Sequence, residues 1–263
     1  MEFRNLCKNR DASQESAFTF VELLVVIFVL VLLAIMVLPA NARTSGSTRR
    51  AICINNLRQI GRAVAMYASD NNDYLPYPNW GAPNTLSGMP GPGWLYTPVG
   101  GAPPNLTVAP YNSNPAIAYA TGLLYPYVRN QNSYVCAVDR ESKYFSVRAN
   151  KLSSYVMNGA VCGFNSTYRS CRITAVWSPD CYLMWNPDEN IGNPPIGNFA
   201  YNDASSYPDR NEGIATLHTL NGADVVTLAG SVCFATNESI ENAKTNSSGK
   251  TLVWWSPFST NGR

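Results

Sequence analysis

The chain has 263 residues, 46% of them hydrophobic and 14% charged, with a formal net charge of +2. That length holds one large domain or two small ones, and the near-neutral balance leaves no basic footprint for nucleic acid. With 18 Gly, 18 Pro and 15 Tyr, the composition favours a loop-rich, aromatic-rich β domain over a helical bundle.

The first element in chain order is apolar. Phe18 to Pro39 covers 22 residues, and from Leu23 to Leu38 no side chain is polar. About 20 such residues cross the hydrocarbon core of a bilayer as a helix. Lipid forces that conformation even on β-branched residues such as Val25, Val26 and Ile27, because the backbone has no water to bond with. Glu22 is the anomaly, since a carboxylate at mid-membrane costs roughly 2.5 to 3.5 kcal/mol and less near an end. Three readings compete. In a cleaved secretory signal ending at Ala40-Asn41-Ala42, the apolar core would exceed the usual length of about 7 to 15 residues. An uncleaved signal anchor leaves Glu22 without a purpose. Cleavage just before Phe18 supplies a partner, because the new terminal ammonium lies at the same depth. With helices packed side by side and staggered, Glu22 of one subunit neutralises Phe18 of its neighbour. Burial makes such a pair a registration device more than a source of net stability.

Phe18-Thr19-Phe20-Val21-Glu22 and the run after it resemble the prepilin-type N-terminal cleavage and methylation motif of type IV pilins and type II secretion pseudopilins. The resemblance implies a leader over 1–17, cleavage between Ala17 and Phe18 by prepilin peptidase on the cytoplasmic side, and N-methylation of Phe18 by the same peptidase/N-methyltransferase. It also implies assembly through Glu22 with copies of the chain or sibling pseudopilins in a helical filament. Pro39 occupies a position where family members commonly carry proline, and it would kink or loosen the helix. Ala17 stands where the family normally has Gly. Arg43, Arg49 and Arg50 follow the span and by charge alone favour the opposite orientation, but long downstream domains translocate largely regardless of charge. The expected topology is a single pass through a bacterial inner membrane, with the N-terminus cytoplasmic and the C-terminal domain periplasmic.

After the polar stretch Arg43 to Thr48, Cys53, Leu57, Ile60, Val64 and Tyr67 recur at helical spacing, while Arg58 and Arg62 fall off that stripe. This is an amphipathic helix, ended by Ser69 to Asp73 and Pro76. The segment CINNLRQIGRAVAMYASDNNDYLP also resembles the stretch after the membrane helix in a large group of planctomycete-type pseudopilin-like proteins. LLYPYVRNQNSYVCAVDR, SYVMNGAVCG and HTLNGADVVTLAGSVCFAT are further echoes, with Ala229-Gly230 standing where that group has Asp-Gly. Trp80 to Pro115 reads as a long surface loop. Strand candidates are Tyr134 to Val138, Ser154 to Met157, Thr174 to Trp177, Tyr182 to Trp185 and Thr251 to Trp255. Asp224 to Leu228 and Ser231 to Ala235 form the best hairpin, with Gly230 free to take positive φ. The expected fold is α+β: a long N-terminal helix, transmembrane over 18–40 and amphipathic over 41–72, packed on an antiparallel β-sheet domain over 73–263 in a pilin-like plan.

Seven cysteines occur. Cys7 precedes the apolar run, and Cys53, Cys136, Cys162, Cys171, Cys181 and Cys233 follow it. An even number suits a disulfide-permissive compartment, with 15 connectivities open; Cys162–Cys171 is a candidate local bridge, and small buried hydrophobes are the alternative reading. The lack of any Cys-x-x-Cys and the single histidine, His218, argue against a structural zinc site. His218 has no nucleophile elbow or matching signature beside it and reads as a hydrogen-bonded residue before the hairpin. No phosphate loop is present either. Asp188, Glu189, Asp203 and Asp209 offer hard oxygen ligands that suit Ca²⁺, with a solvated acidic loop as the bland alternative. The functional expectation is a non-enzymatic structural subunit of a secretion pseudopilus or pilus-like filament. The alternative is a signal-anchored or secreted extracytoplasmic protein, carbohydrate-binding or hydrolytic, whose apolar run serves only targeting.

Overall fold

The computed structural model of the chain describes residues 19–79, 91–146, 148, 150–164, 169–188, 203–208, 212–246 and 248–263, with side chains described in all of these but 34–45. The chain divides into two units, Met1–Gly46 and Ser47–Arg263, and helix α1 (Phe20–Asp70) contributes to both.

In the first unit α1 begins with a capping box. The Thr19 hydroxyl accepts the Glu22 N–H at 3.3 Å, and Glu22 Oε2 accepts the Thr19 N–H and hydroxyl at 2.8 Å each. From Phe20 to Leu33 every side chain is exposed, ranging from 77% at Phe20 to 42% at Leu32. Among the described residues no helix is long and apolar enough to cross a membrane. Ala17 and Phe18 lie outside the described residues, and Pro39 outside the described side chains.

In the second unit α1 shows the expected stripe. Cys53, Leu57, Ile60 and Val64 are buried while Arg58 and Arg62 are exposed; Asn56, Gly61, Ala63 and Ala68 widen the buried face. The helix stops at Asp70 because Asn72 and Asp73 turn into the left-handed region, with φ of 55° and 65°, which these side chains tolerate. The Asp73 N–H then returns to the Ala68 carbonyl at 2.8 Å.

Short helices α2 (Ala116–Ala120), α3 (Tyr125–Val128) and α4 (Ala137–Arg140) precede the strands. These are β1 (Val156–Asn158), β2 (Tyr182–Trp185), β3 (Pro187–Asp188), β4 (Ser205–Ser206), β5 (Gly213–Ile214), β6 (Gly222–Thr227) and β7 (Val232–Thr236), followed by helix α5 (Asn237–Thr245). The main sheet has the order β4-β1-β2-β6-β7, and β3 pairs with β5 separately. The expected antiparallel sheet is corrected at one edge, where β1 and β4 run parallel; the fold is α+β with a mixed sheet.

Both faces of the sheet are covered, and successive side chains choose opposite faces. Met157, Met184 and Val226 join the core that holds the α1 stripe. Val156, Trp185 and Val225 join a second core with Ile240 of α5 and Trp254. Tyr182 and Trp185 share that second face although three positions apart, which strict alternation forbids. The register shift between Tyr182 and Met184 resets the parity, as a bulge does.

Several expected strands take other forms. Tyr134 to Val138 is a 3-10 turn followed by α4, because the Asn130 side chain accepts the Asn132 N–H and starts the turn. Thr174 to Trp177 overlaps another 3-10 turn, Ile173–Ala175, and has no buried face to repay pairing. Thr251 to Trp255 is no ladder strand, since the Thr251 hydroxyl takes the N–H groups of Val253 and Trp254, a side-chain capture that competes with sheet pairing. Nor is 91–115 a surface loop throughout: Trp94, Leu95 and Tyr96 are fully buried, and Trp94 Nε1 donates to the Ala204 carbonyl at 2.9 Å. The hairpin expectation holds, with Gly230 at φ +76° turning β6 into β7.

That turn meets α1 at a second glycine. A Cβ on Gly61 would sit 2.7 Å from Val226 Cγ2 and 3.2 Å from the Gly230 Cα. Overpacking of this kind costs about 1 to 3 kcal/mol. Gly61→Leu is therefore expected to lower the urea midpoint of the full chain in detergent. Gly46→Leu, at a position with nothing within 4 Å, is expected to leave it unchanged. Equal midpoints for the two variants would refute the close approach.

Candidate functional site

The buried face of α1 carries Cys53, and the residue that caps α4 is Cys136. A disulfide joins them across a sequence separation of 83. In the chain-entropy account, closing a loop of that length removes about 4 to 5 kcal/mol of unfolded-state freedom. One turn along α1, Asn56 Nδ2 donates to the Val135 carbonyl at 3.2 Å and the Asn132 carbonyl at 3.4 Å, so the segment entering Cys136 is held to the helix twice. On the other side the Cys136 N–H donates to Ser154 Oγ at 2.9 Å. The Ser154 hydroxyl donates to the buried carboxylate of Asp139, which pairs with the guanidinium of Arg148.

His218 completes the cluster from the segment before β6. Its Nε2 lies 3.3 Å from Cys136 Sγ, and the ligand atoms of Cys53, Cys136 and His218 all lie within 4.8 Å of one another. Nearby, Arg50 grips Asp224 of β6 through two hydrogen bonds, Nε to Oδ2 at 2.9 Å and Nη2 to Oδ1 at 2.8 Å, and its guanidinium covers the Phe234 ring. Burial pushes the His218 pKa below its ordinary value; Asp224 works against that shift and Arg50 adds to it. The imidazole is accordingly neutral near pH 7, the form that ligates metals. While the disulfide is closed, this imidazole has no thiolate to activate. Opened, the cluster offers two soft sulfur donors and one nitrogen.

Of the six cysteines expected to pair, Cys162, Cys171, Cys181 and Cys233 stand outside this disulfide. The Cys162 thiol points to the Gly159 carbonyl at 3.4 Å, while burial, with Cys162 nearby adding to it, pushes the Cys171 thiol up to about 12. Burial does the same to Cys181. The burial of Cys162, Cys171 and Cys181 is what the small-hydrophobe alternative expects.

Two of the four calcium candidates fall among the described residues. Asp188 lies in β3 opposite Gly213, Asp203 Oδ1 accepts the Ser205 N–H at 2.9 Å, and Glu189 and Asp209 lie outside the described residues. The Cys53–Cys136–His218 group gathers residues 83 and 82 positions apart. No local spacing could announce it; the one sequence signal was that the single histidine opens the strongest hairpin.

A protein-family model described as a protein of unknown function (DUF1559) matches residues 45–189, a span that includes Cys53 and Cys136 but ends before His218. No curated protein and no solved structure matches the chain.

Asp203 makes a pH prediction. Burial, assisted by the charge of Glu212 and opposed by the Ser205 N–H, raises its carboxyl from 3.8 to about 7. Between those two values the folded chain keeps a proton that the unfolded chain has lost, so stability falls as pH rises from about 4 to about 7. Asp203→Asn keeps an acceptor for Ser205 and removes the titration. It is expected to flatten the pH profile of the unfolding free energy by up to about 4 kcal/mol. An unchanged profile would show that Asp203 is ionised in the folded chain.

Proposed function

The chain belongs to the DUF1559 family of proteins of unknown function, and on that premise we propose that it is a non-enzymatic, membrane-anchored, pilin-like subunit that assembles through α1. The observation that carries this reading is the helix surface from Phe20 to Leu33, apolar apart from Glu22 and exposed on every side. A helix that is apolar all round belongs inside a membrane or against other apolar helices, and apolar patches beyond a few hundred Å² mark such surfaces. The motif from Phe18 to Glu22 supports cleavage before Phe18, and the family match overlaps the segment from Cys53 to Pro76 that resembles pseudopilin-like proteins. The filament type, secretion pseudopilus or pilus, belongs to this proposal, as do the inner-membrane location and the periplasmic C-terminal domain.

Mass spectrometry of the chain isolated from its native membrane is expected to show an N-terminus at methylated Phe18. An intact Met1, or a chain starting at Arg43, would overturn the reading in favour of a signal-anchored or secreted protein.

Glu22 has two roles to separate, since its carboxylate also caps its own helix. Glutamine at that position keeps the capping box but carries no charge. Glu22→Gln is expected to retain membrane insertion and helicity and to lose crosslinking between subunits. Crosslinking at the parental level would leave Glu22 as a cap alone and remove its pairing with the Phe18 ammonium.

A further inference from the structure

The cluster around Cys53 holds a chemistry that the disulfide conceals. We propose that, once the Cys53–Cys136 bond is reduced, the two thiolates and His218 Nε2 form a three-ligand site for Zn²⁺ that replaces the covalent tie between α1 and the segment entering α4. Three features carry this assignment.

Distance is the first. A tetrahedral zinc with Zn–S of about 2.3 Å and Zn–N of about 2.0 to 2.1 Å holds its sulfur and nitrogen ligands about 3.6 Å apart. Cys136 Sγ and His218 Nε2 are already 3.3 Å apart, and all three ligand atoms lie within 4.8 Å of one another. Cys53 and Cys136 need separate only from bonded to non-bonded sulfurs, about 3.8 Å in the same geometry, over a Cα–Cα distance of 5.3 Å.

Charge is the second. Two thiolates and a neutral imidazole cancel the charge of Zn²⁺, so the buried complex is neutral. The charged pair that acts on His218, Arg50 with Asp224, is also internally compensated. Soft sulfur with imidazole is the donor set that selects zinc over calcium or magnesium.

Support is the third. The Cys136 backbone is fixed through Ser154, Asp139 and Arg148, and the Cys53 carbonyl accepts from the Tyr155 hydroxyl at 3.5 Å. Those bonds do not involve either sulfur, so opening the disulfide leaves both ligands in place. Among the described residues this is the one group of three or more Cys, His, Asp or Glu side chains close enough to share a metal ion.

The reaction balances with a phosphine as the reductant. The phosphine and one water become phosphine oxide, and the S–S bond takes up two electrons and two protons to give two thiols. Zn²⁺ then displaces both thiol protons into solvent as the two Zn–S bonds form.

The test uses the full-length chain in detergent, reduced with a water-soluble phosphine, freed of metal and titrated with Co²⁺ and Zn²⁺. The reduced chain is expected to develop a thiolate-to-cobalt charge-transfer band that one equivalent of Zn²⁺ abolishes, and the oxidised chain to show none. Loss of a mere outer-sphere partner weakens a metal site about 10- to 100-fold, so His218→Ala is expected to weaken zinc uptake by at least about 100-fold. That variant keeps the disulfide when oxidised, and its circular dichroism in that state reports that it folds. Cys53→Ser with Cys136→Ser is expected to remove the band. No band in the reduced parent, undiminished affinity in His218→Ala, or a persistent band in the double serine variant would each overturn the site. These readouts are independent of filament assembly, so failure here leaves the pilin-like reading standing, and the reverse holds too.

Discussion

The second unit is organised by one interaction, the burial of the Cys53, Leu57, Ile60 and Val64 face of α1 against the sheet. Each fully buried aliphatic side chain of that kind contributes about 1.5 to 3 kcal/mol, and the elements around it are shaped to let the helix come close. Gly61 and Gly230 remove the side chains that would hold the β6–β7 turn away. Arg50 reaches Asp224 on β6. The disulfide from Cys53 ties the same helix to α4. Packing, ion pair and covalent bond all act within a few turns, so this part of the helix is specified several times over.

The sheet is a two-sided layer, buried on both faces at β1, β2 and β6 and part-exposed at its edge strand β7. Its alternation sends Met157, Met184 and Val226 one way and Val156, Trp185 and Val225 the other, and a single irregularity in β2 corrects the parity. The second face is covered by α5 and by the C-terminal segment, which is anchored to β2 without joining the ladder. Asn158 Nδ2 bonds the carbonyls of Tyr182 and Val253, and Trp255 Nε1 donates to Tyr182. A buried asparagine and a tryptophan N–H thus satisfy backbone groups that a regular edge strand would have satisfied.

Within α1 two kinds of surface follow one another in sequence. From Cys53 onward the apolar residues form a stripe opposite arginines and are buried. From Phe20 to Leu33 they surround the helix and are exposed. The first arrangement is what a domain needs from an attached helix; the second has no use in water. This contrast is the physical basis of the proposal that the N-terminal part is an assembly or membrane surface.

Amino-acid order alone determined the features with local periods: the α1 stripe and its end at Asp70, the strand Tyr182 to Trp185, and the β6–β7 hairpin with its glycine. A side chain's neighbours at three, four or two positions already define its face, so these needed no tertiary knowledge. Tertiary structure decided the rest. Tyr134 to Val138 and Thr251 to Trp255 have strand-like composition, yet Asn130 took the N–H of Asn132 to start a turn ahead of the first, and Thr251 took the N–H groups of Val253 and Trp254 within the second. Trp94 to Tyr96 sits in a loop-like stretch but fills the core. Cys171 has a nearby candidate partner, while Cys53 bonds across 83 positions and His218 arrives from 82 further on. Such contacts depend on which surfaces the folded chain buries together, and no spacing along the chain records that.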